Sequence, residues 1–375
     1  MQIDDRGNRR VRAGIIGPRG IGTAHCAALR EIGVDVVAVA ATTEERARAH
    51  AARLGVPAFY ADPGELIRAD DIDTVHICTP NDSHAALSRQ ALAAGKHVIC
   101  EKPLATSLAD ARDLLQMARQ TNLVHAVCYV YRYYTLPRLM RVWVTANKLG
   151  RVHLVQGAFL LDEILLQDDP GHWMLDPARI GPSLSLADIG VHWWDLLEFV
   201  SGQRVVEVVC AKQSVRTENE RSDDSDAILL RLDGGATAVA AIGQTAPGHT
   251  GTLSIELIGT SASAAWSQDS ADELWYGRLA RTPEIVLRSS TNVETFHEMA
   301  SPPPVDKAQD FAAAFRNMMA DIYAHIMGAT GTDAYPSFAD GVRGMEILEA
   351  VLRSAGEHRW VVVGGDGGSR SPTAT

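Results

Sequence analysis

Cysteine is scarce in this chain, and its placement argues against two kinds of site. Only five cysteines occur in 375 residues, and no two of them form a C-x-x-C pair. A disulfide framework usually has an even number of cysteines, and a zinc site usually shows ligands at recognisable spacings. The histidines are scattered as well. We therefore expect reduced thiols in a cytoplasmic protein that holds no metal.

Long apolar runs and clusters of basic residues are also missing. No stretch has the uninterrupted apolar length of a membrane span, and residues 1–10 lack the apolar core of a signal peptide. The formal net charge is −11, whereas nucleic acids and anionic membrane surfaces attract clustered Lys and Arg. We expect a small-molecule partner, and neither nucleic acid nor a membrane.

Two domains are predicted from what the chain does contain, because 46% hydrophobic residues suffice for two cores. In residues 1–130, β-branched runs alternate with helical periodicity, which predicts a doubly wound parallel sheet of the Rossmann type in an α/β domain. In residues 131–363, period-two runs joined by turns predict an α+β domain with an open, mostly antiparallel sheet. Residues 364–375 are rich in Gly and Ser and are expected to be a disordered tail.

The individual elements can be placed from the same periodicities. Strands are expected at 11–16, 34–40, 74–78, 97–100 and 124–128, and then at 152–161, 205–215, 227–232, 236–242 and 253–258. Helices are expected from a capping box at 42–45 to Gly55, after a second cap at Ser107, and at 137–147, 185–200, 307–327 and 338–354, with a break at 301–304.

A glycine-rich turn follows the first predicted strand. Such a bend lets the backbone approach a pyrophosphate, which the N-terminus of the next helix then binds. Gly17 and Gly22 occupy the first and third positions of the G-x-G-x-x-G pattern, but Arg19 occupies the second. The turn therefore predicts a dinucleotide, although the match is imperfect.

Polar side chains follow three further strands, at the sheet edge where ligands of doubly wound folds bind. These positions are Thr79-Pro80-Asn81 with His84, Glu101-Lys102-Pro103, and Tyr129, Tyr131 and Arg132. Each has a simpler alternative. Asn81 to Ser83 would also serve as a helix cap, and Lys102 as a solvated loop lysine whose bond to Pro103 is cis or trans.

A third group falls in the predicted helix at 185–200. Asp188, His192 and Asp195 have helical spacings of i, i+4 and i+7 and share one face. Histidine suits proton transfer near neutral pH. A capping Asp188 followed by a hydrogen-bonded core histidine is the structural alternative.

Taken together, these motifs resemble the Gfo/Idh/MocA family of oxidoreductases, named for glucose–fructose oxidoreductase and inositol dehydrogenase. The resemblance covers roughly residues 11–202 and is carried by 17–25, 79–84, 94–103 and 188–195. It implies a dinucleotide domain, and a second domain whose open sheet forms a homodimer or homotetramer.

The family's catalytic pattern falls on Lys102, Asp188 and His192. The resemblance implies that His192 exchanges a proton with a substrate oxygen while a hydride moves between the attached carbon and the nicotinamide. Lys102 would stabilise charge on that oxygen, and Asp188 would orient the base or the substrate. Asp195 would either bind a substrate hydroxyl or hold the helix.

Substrate selection is expected from aromatic and polar side chains near the second domain, since such groups suit a hydroxylated ring. A loop at 165–173 is expected to cover the pocket. The candidates are Tyr129, Tyr131, Arg132, His172, Trp173, Trp193 and Asp195, with Trp194 assigned to the core.

The cofactor is expected to be NADP(H), with NAD(H) the second choice. NAD-binding domains usually place Asp or Glu at the end of the second strand, where Ala41 stands here. Thr42, Thr43, Arg46 and Arg19 offer donors for a 2′-phosphate. In the alternative, Arg46 is solvated and Glu44 or Glu45 reaches the ribose. The predicted cofactor contacts are Gly17, Arg19, Gly20, Ile21, Gly22, Thr42, Thr43, Arg46, Thr79, Pro80, Asn81, His84, Glu101 and Lys102.

Three functions fit the sequence. The first is an NADP(H)-dependent oxidoreductase acting on a secondary alcohol or ketone of a sugar, cyclitol or glycoside. The second is a glycoside-cleaving enzyme that uses a bound nicotinamide for transient oxidation. The third is a non-catalytic nucleotide-sensing regulator, which the presence of Lys102, Asp188 and His192 disfavours.

Overall fold

A parallel sheet forms the first half of the chain. The computed structural model describes residues 11–169, 171–216, 223–290, 311–329 and 335–365. Six parallel strands have the order β3-β2-β1-β4-β5-β6. They are β1 (Arg12–Ile16), β2 (Asp35–Ala40), β3 (Ala58–Tyr60), β4 (Thr74–Ile77), β5 (His97–Cys100) and β6 (His125–Val127). The predicted doubly wound sheet is confirmed.

Five helices connect these strands, and the predicted caps begin two of them. They are α1 (Ile21–Glu31), α2 (Glu44–Leu54), α3 (Pro63–Arg68), α4 (His84–Ala93) and α5 (Leu108–Arg119). The Thr43 hydroxyl accepts a hydrogen bond from the backbone N–H of Arg46 at 3.2 Å, and Gly55 ends α2 in the left-handed conformation. Ser107 accepts from the N–H of Asp110 at 3.1 Å. These bonds satisfy donors that a helix start leaves unpaired.

A second sheet follows, and it is antiparallel except for one pair. Its order is β14-β13-β12-β11-β7-β10-β9-β8-β15, with β7 and β10 parallel. The strands are β7 (Val152–Leu161), β8 (Val205–Gln213), β9 (Ser225–Leu232), β10 (Thr237–Gly243), β11 (Thr250–Gly259), β12 (Ala262–Ser267), β13 (Glu273–Arg278), β14 (Glu284–Leu287) and β15 (Val361–Val362). Burial alternates along β9 and β10, so one face joins the core and the other is exposed.

The second half also contains five helices among the described residues. They are α6 (Thr135–Thr145), α7 (Pro177–Ile180), α8 (Val191–Ser201), α9 (Phe311–Ile326) and α10 (Phe338–Glu357). The segment Leu186–Gly190 before α8 is a π-helical turn. The predicted break at 301–304, the start of the predicted helix at 307–310 and residues 366–375 of the predicted tail lie outside the described residues.

The last two helices return to the first sheet. Helix α9 packs on α1, and α10 packs on α5 and β8. The backbone N–H of Val127, at the end of β6, donates to the carbonyl of Pro336 at 3.0 Å. One hydrophobic core therefore extends across the predicted boundary at residue 130. Of the helices that the structure describes, none is long and apolar enough to cross a membrane.

Candidate active site

The glycine turn has the tight geometry that phosphate binding requires. Gly17 has a φ of +82°, and a Cβ at this position would lie 2.6 Å from the carbonyl oxygen of Cys78. A Cβ on Gly22 would lie 2.1 Å from the Gly17 oxygen. Helix α1 begins after Gly20, and no side chain among the described residues caps its first turn. The backbone there is suited to bind an anion, which fits a dinucleotide.

Positive charges gather where β2 ends beside this turn. Burial lowers the pKa of His50, and the nearby charges of Arg53, Arg19 and Arg46 lower it further. The Arg46 guanidinium approaches the Thr42 hydroxyl at 3.4 Å. This edge of the sheet is therefore cationic.

His84 connects two of the predicted strand-end motifs. Its Nδ1 lies 2.7 Å from the carbonyl oxygen of Pro103, and its Nε2 lies 2.8 Å from that of Thr79. Burial lowers the pKa of His84, while the two carbonyl groups and Glu101 act in the opposite direction. The Lys102–Pro103 peptide bond is cis. His84 thus connects the loop after β4 with the loop after β5.

Asn81 and Ser83 do not cap α4 through their side chains. The Asn81 amide donates to the carbonyl of Ile180 at 3.1 Å, and the Ser83 hydroxyl donates to the Pro80 carbonyl at 2.9 Å. The capping alternative for these residues is therefore wrong. Asn81 instead ties the first domain to the segment that precedes α8.

Lys102 and Asp188 meet at the carboxyl end of the first sheet. The Lys102 ammonium donates to the Asp188 carboxylate and, at 2.9 Å, to the Asp188 backbone carbonyl. Gln244, from the loop after β10, donates to the other carboxylate oxygen at 2.5 Å. Both charged side chains are about one-fifth exposed, at 18% each. The helix that carries Asp188 begins at the buried carboxylate of Asp223, which accepts from the backbone N–H groups of Leu184 and Leu186.

His192 lies one turn beyond Asp188 and is 7% exposed. Its ring packs against Tyr131 and Phe159, with centroids 5.0 and 6.3 Å away. Its Nδ1 is buried and has no hydrogen-bond partner among the described residues. Burial lowers the pKa of His192 well below its ordinary value, and the charge of Lys102 adds to this effect. The imidazole is therefore neutral at neutral pH and able to accept a proton.

Arg132 and Asp195 are engaged with each other. The guanidinium donates to both carboxylate oxygens of Asp195, at 2.9 and 2.5 Å, and to Asp340 of α10 at 2.7 Å. Of the two roles predicted for Asp195, this geometry favours holding the helix. Tyr129 and Trp193 are fully buried, and the Trp193 indole donates to the Ser254 carbonyl at 3.1 Å. Trp194, assigned to the core, is 1% exposed.

The segment before α8 supplies further groups near Lys102. His172 and Trp173 lie there, and Trp173 packs on a small separate apolar cluster that includes Ile164 and Met174. Glu163 also belongs to this region. Burial and the charge of Asp188 raise the pKa of its carboxyl group, whereas Lys102 and His172 lower it.

Glu163, Gln244 and Asp223 were not predicted from the sequence. Each lies on a loop or just before a strand, outside any recognisable motif, and acquires its partner only through the fold. The spacing of residues gives no sign that Glu163 and Gln244 lie near Asp188, or that Asp223 binds the start of the helical segment that carries it.

One group of potential metal ligands was also not predicted from the sequence. His25, Glu101 and Cys128 offer ligand atoms that all lie within 4.8 Å of one another. The three residues come from α1 and from the ends of β5 and β6, far apart along the chain. His25 and Glu101 are joined by a hydrogen bond of 3.0 Å.

Known proteins share this architecture and are similar in sequence. Residues 11–129 match the oxidoreductase family with an NAD-binding Rossmann fold, and residues 138–265 match the GFO/IDH/MocA C-terminal domain. Levoglucosan dehydrogenase of Pseudarthrobacter phenanthrenivorans is 25% identical over 361 residues, covering 87% of this chain and 88% of that protein. Myo-inositol 2-dehydrogenase of Thermotoga maritima is 29% identical over 234 residues, covering 61% and 67%. The crystal structure of an inositol dehydrogenase homologue from Azotobacter vinelandii, complexed with NAD⁺, superposes with a TM-score of 0.86 at 26% identity, covering 94% and 97%.

A dinucleotide domain with Lys102, Asp188 and His192 at its edge defines a nicotinamide-dependent oxidoreductase. The chain belongs to the Gfo/Idh/MocA family of such enzymes, through both of that family's domains. The predicted family and the predicted fold are confirmed.

Proposed function

We propose that this protein transfers a hydride between NADP(H) and a secondary alcohol or ketone carbon of a sugar or cyclitol. The observation that carries the proposal is the Lys102–Asp188 ion pair with His192 one helical turn away, at the strand ends beside the glycine turn. A base, a charge stabiliser and a dinucleotide cradle are the three parts that this reaction needs. The sugar and cyclitol dehydrogenases named above support the substrate class.

The chain's own residues supply acid–base chemistry. When bound, the nicotinamide would accept or provide the hydride. In the oxidation direction, neutral His192 takes the proton of the substrate hydroxyl. Lys102 donates a hydrogen bond to the same oxygen and stabilises its developing negative charge. Asp188, held by Gln244, keeps the lysine directed toward that position.

The substrate that fits this site is neutral and polyhydroxylated. Lys102 supplies one positive charge, and the carboxylates of Asp188 and Glu163 face it. That balance disfavours a phosphorylated or carboxylated substrate. We assign substrate contacts to Tyr131, His172 and Trp173. The other residues predicted to contact the substrate would shape the pocket wall, and these are Tyr129, Arg132, Trp193 and Asp195.

The preference for NADP(H) rests on the cationic edge beside Ala41. Arg19 and Arg46 both lie close enough to His50 to lower its pKa, with burial the larger cause. A 2′-phosphate would meet guanidinium groups there, with Ala41 in place of a carboxylate. The remaining cofactor contacts we assign are the turn at 17–22, Thr42 and Thr43, and the strand-end residues Thr79, Pro80, Asn81, His84, Glu101 and Lys102.

Titration of the purified protein with NADPH and NADH tests the cofactor preference. We expect tighter binding of NADPH, and a loss of that preference in Arg19→Ala and Arg46→Ala. Arg48→Ala is the matched control, because Arg48 lies on the same helix but pairs with Glu44. Tighter binding of NADH, or unchanged NADPH affinity in both variants, would contradict the preference.

Association through the second sheet is part of the proposal. Strand register places Val239, Leu229, Trp275 and Ile285 in one row of paired positions that crosses the exposed face through Gln156 and Glu256. Leu229, Val239 and Ile285 are 40%, 41% and 53% exposed. Exposed apolar residues at both ends of the row, with the hydrogen-bonded pair Gln156 and Glu256 between them, are the kind of surface that an interface between subunits covers.

A screen of polyols and ketosugars with both cofactors tests the activity. We expect nicotinamide turnover with at least one neutral polyol, and a loss of about a hundredfold or more in kcat/KM for His192→Asn. His153→Asn, on the exposed side of β7, is the control and should retain activity. Full activity in both Lys102→Met and His192→Asn would refute the assignment, and leaving-group release without net turnover would identify a glycoside-cleaving enzyme instead.

A further inference from the structure

A chain of hydrogen bonds runs through the core of the first domain and ends at Glu101. His25 Nε2 lies 3.0 Å from Glu101 Oε1, and His25 Nδ1 lies 2.7 Å from His76 Nδ1. His76 Nε2 lies 2.7 Å from the Tyr323 hydroxyl, which lies 2.7 Å from the Thr74 hydroxyl. All five residues are buried, and none is more than 7% exposed.

These residues come from four elements of the fold. His25 lies on α1, Thr74 and His76 on β4, Glu101 directly after β5, and Tyr323 on α9. A leucine or phenylalanine would fill the same space without any need for hydrogen-bond partners. Burying polar groups in place of apolar ones is costly unless every group is bonded. The chain therefore has a cost that packing alone does not explain.

The contact between two Nδ1 atoms requires one of the two histidines to donate and the other to accept. Burial lowers the pKa of His76 well below its ordinary value, so its ring is neutral. If both rings are neutral and Glu101 is ionised, His25 donates from Nε2 to Glu101 and accepts at Nδ1 from His76. His76 then accepts at Nε2 from Tyr323, which accepts from Thr74. Every donor in the chain points toward Glu101.

Glu101 passes this orientation on to its neighbour Lys102. Its second oxygen, Oε2, accepts from the backbone N–H of Lys102 at 3.2 Å. Burial opposes the ionisation of Glu101, but the hydrogen bond from His25, together with the charge of Lys102, acts in the opposite direction, and the pKa of the carboxyl group is lowered. Aligned hydrogen bonds polarise one another, so each donor along the chain strengthens the bond from His25 to Glu101.

We propose that His25, His76 and Tyr323 are positioning residues, which hold Glu101 as an oriented carboxylate and through it fix the backbone of Lys102. The effect of these residues on turnover rests on the proposed function, because it requires that Lys102 act on the substrate. The arrangement of protons does not depend on that function and can be measured without a substrate.

Nitrogen-15 NMR of the histidine rings at pH 8 tests the arrangement of protons in the whole protein. We expect His76 to carry its proton on Nδ1 and His25 on Nε2, with signals assigned from the His25→Gln and His76→Gln variants. A proton on Nε2 of His76 under these conditions would overturn the proposal, because the chain would then point away from Glu101.

The Tyr323→Phe variant tests the positioning effect with little change in volume. We expect kcat to fall about three- to tenfold, the equivalent of one hydrogen bond, with KM changed less than about twofold. We also expect the His25 ring nitrogens to shift. Thr74→Val removes the terminal donor and should act in the same direction, and it serves as the second test if Tyr323→Phe does not fold.

Tyr133→Phe is the matched control. Its hydroxyl is equally buried and bonds Asp321 of the same helix α9 at 2.9 Å, without a connection to Glu101. If Tyr133→Phe lowers kcat as much as Tyr323→Phe, the chain is merely structural and the proposal fails. If the wild-type protein turns over no polyol, the proposed function fails, while the ring nitrogens still decide the arrangement of protons.

Discussion

His192 is a base because of where it lies. An exposed histidine is partly protonated near neutral pH, whereas burial and the neighbouring Lys102 lower the pKa of His192 well below 6.5. A base with a lowered pKa stays neutral above that value and fails only when the pH falls through it. His192 should therefore remain neutral, and able to act as a base, under mildly acidic conditions.

The pH profile of alcohol oxidation should show this directly. We expect the acid limb of kcat/KM that belongs to His192 to lie below pH 6.5. His192→Asn should remove that limb, whereas the change at the exposed His153, His153→Asn, should leave it in place. A limb centred at or above pH 6.5 that disappears in His192→Asn would contradict the lowered pKa.

Arg132 shows how a buried charge constrains the helices around it. Arg132→Met would leave the carboxylates of Asp195 and Asp340 without their cation. We expect a loss of about 3–5 kcal/mol in the free energy of unfolding, measured by urea denaturation. The control is Arg48→Met, whose ion pair with Glu44 is 65% and 66% exposed, and it should cost less than about 1 kcal/mol. Equal losses in the two variants would show that the buried network does not matter.

At the scale of elements, the glycine turn depends on the absence of a side chain. A Cβ on Gly22 would lie 2.1 Å from the Gly17 oxygen, so the turn would have to open. We expect Gly22→Ala to weaken cofactor binding by roughly tenfold or more, because opening the turn would move the backbone N–H groups away from the phosphates. Fluorescence titration with NADPH measures this.

Gly95→Ala is the control for the glycine turn. Gly95 also has a positive φ, of +74°, but no described atom lies within 4 Å of a Cβ built there. The Gly95→Ala variant should lose some stability and retain its affinity for the cofactor. Equal cofactor affinity in Gly22→Ala and wild type would show that the turn does not cradle the phosphates.

Elements with a strong local pattern were predictable, and elements without one were not. Helix α2 has a cap at both ends, and β7 is ten residues long and rich in apolar residues, so both were placed correctly. Strand β3 consists of three half-buried residues. Strand β15 consists of only two residues, one buried and one exposed. Neither is long enough to show a period. Strands β12 to β14 were missed as well, although β12 alternates clearly between buried and half-buried residues.

The residues of the candidate site and its surroundings also fall into a predictable group and an unpredictable one. Lys102, Asp188 and His192 lie in recognisable motifs, and the structure brings Lys102 and Asp188 into contact. Tyr323 was missed because its partner His76 is 247 residues away in sequence. Partners at such separations leave no trace in local periodicity, because only the completed fold brings them together.

At the scale of the whole molecule, the exposed face of the second sheet predicts self-association. Val239→Asp would place a charge beside Leu229 in the apolar part of this row, so we expect it to shift the protein toward the monomer in light scattering after gel filtration. Met327→Asp is the control, at an apolar position directly after α9 that is even more exposed than Val239, and it should not change the mass. An unchanged mass for Val239→Asp would exclude this face as the interface.

The return of α9 to the first domain also bears on how the protein is made. A ribosome delivers His25 and His76 long before it delivers Tyr323, which is 247 residues beyond His76. During that interval the strand and helix that carry the two histidines lack the donor that completes their core. We therefore expect the nucleotide-binding half to complete its core only after α9 has been synthesised.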